Sequence, residues 1–294
     1  MKQASEWLIS QNKFHRDARS LGRKAHTVSI TGGKGGVGKT SIALKMARML
    51  AKQDFKVLLI DCDTNLSNTA VKLGLPLNDH FMDLVTAKKS FEECLTIDGN
   101  FHLLSACNGN MELFEKELEF DRLLIDVMSA HEKDYDYILL DCPAGLSKTS
   151  LTLNAYSDQR IVVVTPDRSS ITDSYSLMKI LNTRYGVNEN HLLVNKVSTL
   201  AQYQRMVRTL GETVENFLTA RLRVLGFVAF ERGAVDRFDQ ELLGGANSAL
   251  ERDFAKVLTR FTEETVGANV SAHGPARPYN SMRVREQDVQ PAIC

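Results

Sequence analysis

Residues 26–40 read His-Thr-Val-Ser-Ile-Thr-Gly-Gly-Lys-Gly-Gly-Val-Gly-Lys-Thr. The first six, 26–31, form a short run in which Thr27, Val28, Ile30 and Thr31 are β-branched, which predicts a strand. From Gly33 to Thr40 the chain then spells GxxxxGK[ST], and helix-forming residues follow from 39 to 53. Strand, glycine loop and helix in that order make a phosphate-binding loop. Glycines let backbone N–H groups curl around phosphate oxygens, and the helix N-terminus adds partial positive charge. Gly33, Gly35, Gly36, Val37, Gly38, Lys39, Thr40 and Ser41 are therefore the candidate cradle. Lys39 is placed to reach the β- and γ-phosphates, and Thr40 to ligate Mg²⁺.

Outward from the loop, short apolar runs alternate with longer amphipathic ones. Strands are predicted at 26–31, 56–61, 101–105, 136–141, 160–165, 191–195 and 223–228. Helices are predicted near 39–53, 110–132, 172–185 and 202–220. Several strands are almost wholly apolar, as expected when helices cover both faces of a sheet. The alternation implies an α/β fold with a doubly wound, mostly parallel sheet flanked by helices. Residues 1–25 read as a basic arm with a short helix, 26–266 as one nucleotide-binding domain, and 267–294 as a disordered tail. Within the domain, 246–264 reads as a terminal helix with Phe254, Val257, Leu258 and Phe261 on one face.

Lys and Arg number 36 against 36 Asp and Glu, which speaks against a wholesale coating of nucleic acid. The five cysteines form no CxxC pair, so a disulfide framework or an iron–sulfur cluster is not expected and a reducing cytoplasm is. No apolar run approaches the roughly 20 residues that span a bilayer.

Two further strands end in acids. Val57–Ile60 runs into Asp61-Cys62-Asp63, and Tyr137–Leu140 into Asp141-Cys142-Pro143-Ala144-Gly145. In a doubly wound sheet the strand C-termini converge on the ligand crevice. A carboxylate there holds Mg²⁺ through water or orients the attacking water, and Asp141 has the setting of a Walker B acid. Cys62 and Cys142 admit two readings, small buried filler or redox-sensitive thiol.

The loop Lys34-Gly35-Gly36-Val37-Gly38-Lys39-Thr40 resembles the deviant Walker A motif of the MinD/ParA ATPases. The resemblance covers about residues 26–245 and implies an ATPase that binds ATP or ADP with Mg²⁺ and forms an ATP-dependent homodimer. It implies that Lys34 crosses to the partner's nucleotide, that Asp63 orients water, and that Asp61 and Asp141 with Thr40 belong to the metal shell. It also implies that Asn195, at the end of Leu192-Leu193-Val194-Asn195, reads adenine. Ser198 stands where a guanine-reading NKxD motif needs Asp, which favours ATP over GTP.

Within that family the chain is similar to the FlhG/FleN branch, which limits flagellar number and position. Asp63-Thr64-Asn65-Leu66-Ser67-Asn68 with Leu73-Gly74-Leu75, the Phe101–Ala106 strand and above all Thr165-Pro166-Asp167-Arg168-Ser169-Ser170-Ile171-Thr172-Asp173-Ser174-Tyr175 carry that likeness. Gln3 and Ala4 match the start of the branch's helix that stimulates the GTPase FlhF. The branch implies FlhF and flagellar switch or regulator proteins as partners, and reversible association with a membrane surface. Helix 246–264 carries only Arg252, Lys256 and Arg260 as bases among four acids, so core packing and membrane binding both remain open. A ParA-type partition ATPase is the rival, with Arg205, Arg208, Arg221 and Arg223 as its DNA patch.

Overall fold

The computed structural model describes residues 24–63, 68–76, 80–105, 120–230 and 249–270. The strands are β1 His26–Thr31, β2 Val57–Asp61, β3 Thr96–Asp98, β4 Phe101–Ser105, β5 Tyr137–Asp141, β6 Gln159–Val164, β7 Glu189–Val197 and β8 Arg221–Ala229. The helices are α1 Lys39–Ala51, α2 Asn68–Lys72, α3 His80–Val85, α4 Phe120–His131, α5 Lys148–Tyr156, α6 Arg168–Tyr185, α7 Leu200–Phe217 and α8 Ala249–Val270. One eight-stranded sheet runs in the order β3-β4-β2-β5-β1-β6-β7-β8. Among the described residues only the β3–β4 pair is antiparallel.

The apolar strands have two buried faces because alternate residues point to opposite layers. Val57 and Leu59 join a core with α1 and α8, while Leu58 and Ile60 join another with α3 and α4. Val162, Val164, Leu192 and Val194 meet α7 residues Tyr203, Met206, Leu210 and Val214. Each fully buried Leu, Ile or Val contributes about 1.5–3 kcal/mol, so these layers fix the strand register firmly. The register sets Ile30 of β1 beside Asp141 of β5, and Asp61 of β2 beside the same Asp141.

Besides the short helices α2 and α3, three features were not expected from periodicity. The short β3 is one. The helix α5 is another: Lys-Thr-Ser-Leu-Thr-Leu-Asn-Ala-Tyr has little amphipathic signal, and its buried polar groups are satisfied instead. Asn154 accepts from Ser29 Oγ at 2.9 Å and donates to Thr31 Oγ1 at 3.1 Å, which ties the helix to β1. Ser147 caps its start by accepting from Ser150 N–H at 3.1 Å. Third, α6 begins at Arg168 rather than 172, because Asp167 caps it, accepting from Ser170 N–H at 2.9 Å.

The terminal helix runs to Val270, past Gly267, where the tail was expected to begin. Its apolar face is in the core: Leu250, Phe254, Val257, Leu258 and Phe261 pack on α1 and the sheet. Core packing, not an open membrane face, is thus the state of α8. No helix among the described residues is long and apolar enough to cross a membrane. Residues 1–23, expected as a basic arm with a short helix, residues 64–67 of the branch motif, residues 77–79, 106–119 and 231–248, and residues 271–294 of the expected tail lie outside the described residues.

Candidate functional site

Five strand ends bring the chemistry to one edge. In sheet order β2, β5, β1, β6 and β7 deliver Asp61, Asp141, the glycine loop, Asp167 and Asn195. The loop turns directly into α1, whose N-cap Gly38 has φ 99 and offers no side-chain acceptor. No acid lies in the first turn. The first N–H groups of α1 are therefore left for an anion rather than neutralised internally.

Three glycines of the loop are demanded by close approach. A Cβ on Gly32 would lie 2.7 Å from Val163 O on β6. A Cβ on Gly33 would lie 2.2 Å from the carbonyl carbon of Asp173 on α6. A Cβ on Gly38 would lie 2.4 Å from Asn195 Nδ2, quite apart from the positive φ. By contrast Gly35 and Gly36 border open space, so the outer side of the loop is accessible. Val37 is buried in the core and anchors the loop from within. The turn after β5 touches the loop as well, with Gly145 N–H donating to Gly32 O at 3.3 Å.

Lys39 is buried at the base of the loop. Burial lowers its pKa, while Asp141, Cys142 and Asp63 pull the other way. A phosphate group is the anion that such a loop lysine lacks. Asp141 is fully enclosed; burial first, then Asp61, pushes its carboxyl up to about 7, although Thr40 donates to it. Its Oδ1 has no hydrogen-bond partner. Asp61 is also buried, and its Oδ1 accepts from Asp63 N–H at 3.1 Å.

These residues fit a divalent cation that arrives with phosphates. Among the described residues no three His, Cys, Asp or Glu side chains are grouped to hold a metal alone. Mg²⁺ characteristically uses one or two protein carboxylates plus substrate phosphates and water. Thr40 and Asp141 with its orphan oxygen, backed by Asp61, supply that partial set. Bound there, Mg²⁺ would offset charge on the β- and γ-phosphate oxygens.

The other lysine, Lys34, is 41% exposed and reaches back to the rim of its own chain. Its Nζ lies 3.1 Å from Asp167 Oδ1 and 2.6 Å from Ser169 Oγ. Asn195 is 0% exposed. Its Nδ2 donates to Val37 O at 2.8 Å and its Oδ1 accepts from Lys196 N–H at 2.9 Å. The side chain expected to read adenine is therefore turned onto the loop. Sequence reading missed its neighbour Lys196, whose Nζ donates to Gly36 O at 2.9 Å. Asn-Lys at a strand end was the available signal.

Position bears on two further expectations. Cys62 and Cys142 are fully buried, and burial with the adjacent Cys142 raises the Cys62 thiol well above its ordinary value. Such a thiol is a poor nucleophile, which favours the filler reading. The four arginines of the DNA reading divide between two elements. Arg205 and Arg208 lie on the exposed side of α7, whereas Arg221 and Arg223 start β8 beyond that helix's C-terminus, and Arg223 Nε pairs with Glu189 Oε1 at 2.9 Å.

Comparison with known proteins agrees with the geometry. The family model described as AAA domain matches residues 25–194. The antiactivator FleN of Pseudomonas aeruginosa is 26% identical over 205 residues, covering 69% of this chain and 73% of FleN. The chloroplastic MinD homolog of Arabidopsis thaliana is 30% identical over 197 residues, covering 64% of this chain and 59% of the homolog. The fold matches Pyrococcus horikoshii MinD complexed with Mg-ADP at a TM-score of 0.66 and 21% identity, covering 84% of this chain and 99% of that one. The chain thus belongs to the AAA domain family, as a P-loop ATPase of its MinD/ParA-like group.

Proposed function

We propose that this chain is an ATP-dependent dimerisation switch: two ATP-bound copies associate, and hydrolysis to ADP and phosphate returns them to monomers. The observation that carries the reading is the division of labour between the two loop lysines. Lys39 is enclosed at the cradle, while Lys34 sits on the accessible rim in an exposed ion pair. A lysine so placed can exchange its carboxylate partner for a second copy's phosphates. Lys34, Lys39 and Asp63 would then act on the phosphates and water, with Thr40, Asp61 and Asp141 on the Mg²⁺ side.

The biological output is the surface of the dimer. The likeness to FleN supports control of flagellar number and placement, with an FlhF-type GTPase and flagellar switch or regulator proteins as partners in the cytoplasm. Membrane or polar association would need an element other than the docked face of α8. Light scattering with Mg-ATP and with Mg-ADP tests the switch; the dimer should appear with ATP alone. Capture of host partners by the Asp63→Ala dimer tests the output, and recovery of partition proteins, or salt-sensitive DNA binding, would replace the flagellar reading by the ParA one.

A further inference from the structure

One face of β1 carries only hydroxyls. Val28 and Ile30 point into the core shared with α1, so Thr27, Ser29 and Thr31, all buried, point to the opposite layer. Three polar residues spaced by four stand there: Ser150 and Asn154 on α5, and Asp158 just past its end. Two strand residues rise about 6.6 Å and four helix residues about 6 Å, so the two series keep step.

The contacts form a ladder. At the end remote from the phosphate loop, Thr27 Oγ1 donates to Asp158 Oδ2 at 2.7 Å and accepts from Asp158 N–H at 2.9 Å. In the middle, Asn154 accepts from Ser29 Oγ and donates to Thr31 Oγ1. Asn154 Nδ2 also donates to Ser150 O at 2.7 Å. At the near end, Ser150 Oγ donates to Pro143 O at 3.3 Å. Thr31 runs directly into Gly32 and Gly33 of the loop, and Pro143 stands two residues past Asp141. The ladder therefore ties the root of the loop to the turn that follows Asp141, the same turn whose Gly145 N–H meets Gly32 O.

An apolar helix face can shift along a sheet by a fraction of a residue and keep most of its contacts. A buried polar face cannot, because a shift leaves donors and acceptors with neither partner nor water. Ser29, Thr31, Ser150 and Asn154 are all 0% exposed, so α5 has one setting on β1.

We infer that Asn154 and Ser150 are positioning residues: the ladder holds the turn 143–145 at one height against the phosphate loop, and so serves the hydrolytic step rather than nucleotide affinity. Affinity for phosphates belongs to the loop N–H groups and Lys39, which α1 carries. The turn instead continues the strand end that carries Asp141. The inference rests on the ATPase reading.

The test uses the full chain. Ser150→Ala removes the rung at the turn, Asn154→Leu removes the middle of the ladder at similar size, and Ser150→Thr keeps the hydroxyl. Thr27→Val is the control, since it removes a comparable hydroxyl at the remote end. Backbone hydrogen exchange of residues 142–147 is followed by mass spectrometry without nucleotide. The kcat and KM for Mg-ATP are measured at a protein concentration where the rate per protomer has levelled off, and ADP affinity by calorimetry. In Ser150→Ala, exchange of the turn should quicken and kcat should fall, each by about two- to tenfold, the equilibrium equivalent of one neutral hydrogen bond. Asn154→Leu should do more of both, and Ser150→Thr should recover most of the loss. KM and ADP affinity should stay at the wild-type level throughout. Thr27→Val should lower the denaturation midpoint yet leave the turn's exchange and kcat unchanged.

Wild-type exchange and kcat in both Ser150→Ala and Asn154→Leu would overturn the inference. A loss of kcat in Thr27→Val as large as theirs would overturn it too, since the ladder would then be general support. So would a raised KM with kcat intact. A wild type that turns over no ATP would strike at the ATPase reading instead, and exchange of the turn in the same variants would still decide whether the ladder holds it.

Discussion

Lys34 Nζ stands 3.1 Å from Asp167 Oδ1 within one chain. One residue belongs to the loop after β1, the other caps α6 at the end of β6. Both side chains are nearly half exposed, at 41% and 45%. Exposed ion pairs contribute only about 0–1 kcal/mol, so this contact is cheap to exchange. Lys34→Ala should therefore leave ADP affinity of the monomer within about twofold, since Lys39 holds the phosphates. ATP-dependent dimerisation and turnover should fall together; trans fingers in other phosphoryl-transfer systems contribute about 10³–10⁵ in rate. Specific activity should rise with protein concentration in the wild type. A fully active Lys34→Ala variant with concentration-independent turnover would sink the trans role.

The same pair has a pH signature. Burial disfavours the Asp167 anion, but hydrogen bonds from Thr165, Ser169, Ser170 N–H and Lys34 outweigh it and hold the carboxyl well below its ordinary 3.8. A depressed carboxylate contributes stability above its unfolded pKa and loses it as pH falls through the folded one. Asp167→Asn keeps a capping side chain while removing the charge. The variant should be less stable than wild type near neutral pH, and the gap should close as pH drops below about 4. Urea titrations across that range measure it, and a gap that widened on acidification would contradict the assignment.

Hydrolysis should separate from binding at Asp63. Its N–H is fixed on Asp61, so replacing the side chain leaves the strand end intact. Asp63→Ala should bind ATP with near-normal affinity and lose about 10²–10⁴ in turnover, the range that a positioned general base or water-orienting group contributes. The variant should accumulate as a dimer on size exclusion with Mg-ATP. Wild-type turnover in the variant would remove Asp63 from the mechanism.

The glycine loop was legible from its own motif between a strand and a helix, and the acids Asp61 and Asp141 because each follows an apolar run; such strands end at the ligand edge of a parallel sheet. Asp61 and Asp141 came out as register neighbours for that reason. What escaped was set by tertiary contacts. The helix α5 buries Ser150 and Asn154, and no hydrophobic period announces a face held by hydrogen bonds to β1. Asn195 ends an apolar strand just as Asp141 does, yet whether its amide meets a base or a loop carbonyl depends on a residue 158 positions away. The docking of α8 was equally undetermined, because an amphipathic stripe fits a core or a membrane alike.

That docking leads to the last prediction. Lys45 of α1 is only 3% exposed and forms an ion pair with Glu251 in the first turn of α8. The helix that starts at the phosphate loop is thus tied directly to the end of the domain, and Phe254 and Phe261 continue the contact through the core. Removing one partner of a buried pair leaves an uncompensated charge, at a cost of about 3–5 kcal/mol, whereas replacing both by apolar groups of similar size is often neutral. Glu251→Gln leaves the Lys45 charge without its counter-ion, and Lys45→Met leaves Glu251, which is less enclosed. Glu251→Gln should therefore lower the denaturation midpoint more than Lys45→Met does. The double variant Lys45→Met with Glu251→Leu should recover most of the loss. Phe254→Ala should cost a similar amount, about 3–5 kcal/mol, by opening a cavity under α8. Because the apolar face is already committed, vesicles containing anionic lipid should not raise the wild-type midpoint or sediment the protein through this helix. Vesicle binding that is lost in a variant with Phe254 and Phe261 both changed to Ser, accompanied by an undiminished denaturation midpoint, would show instead that α8 leaves the core freely and that its ion pair with Lys45 carries little of the fold.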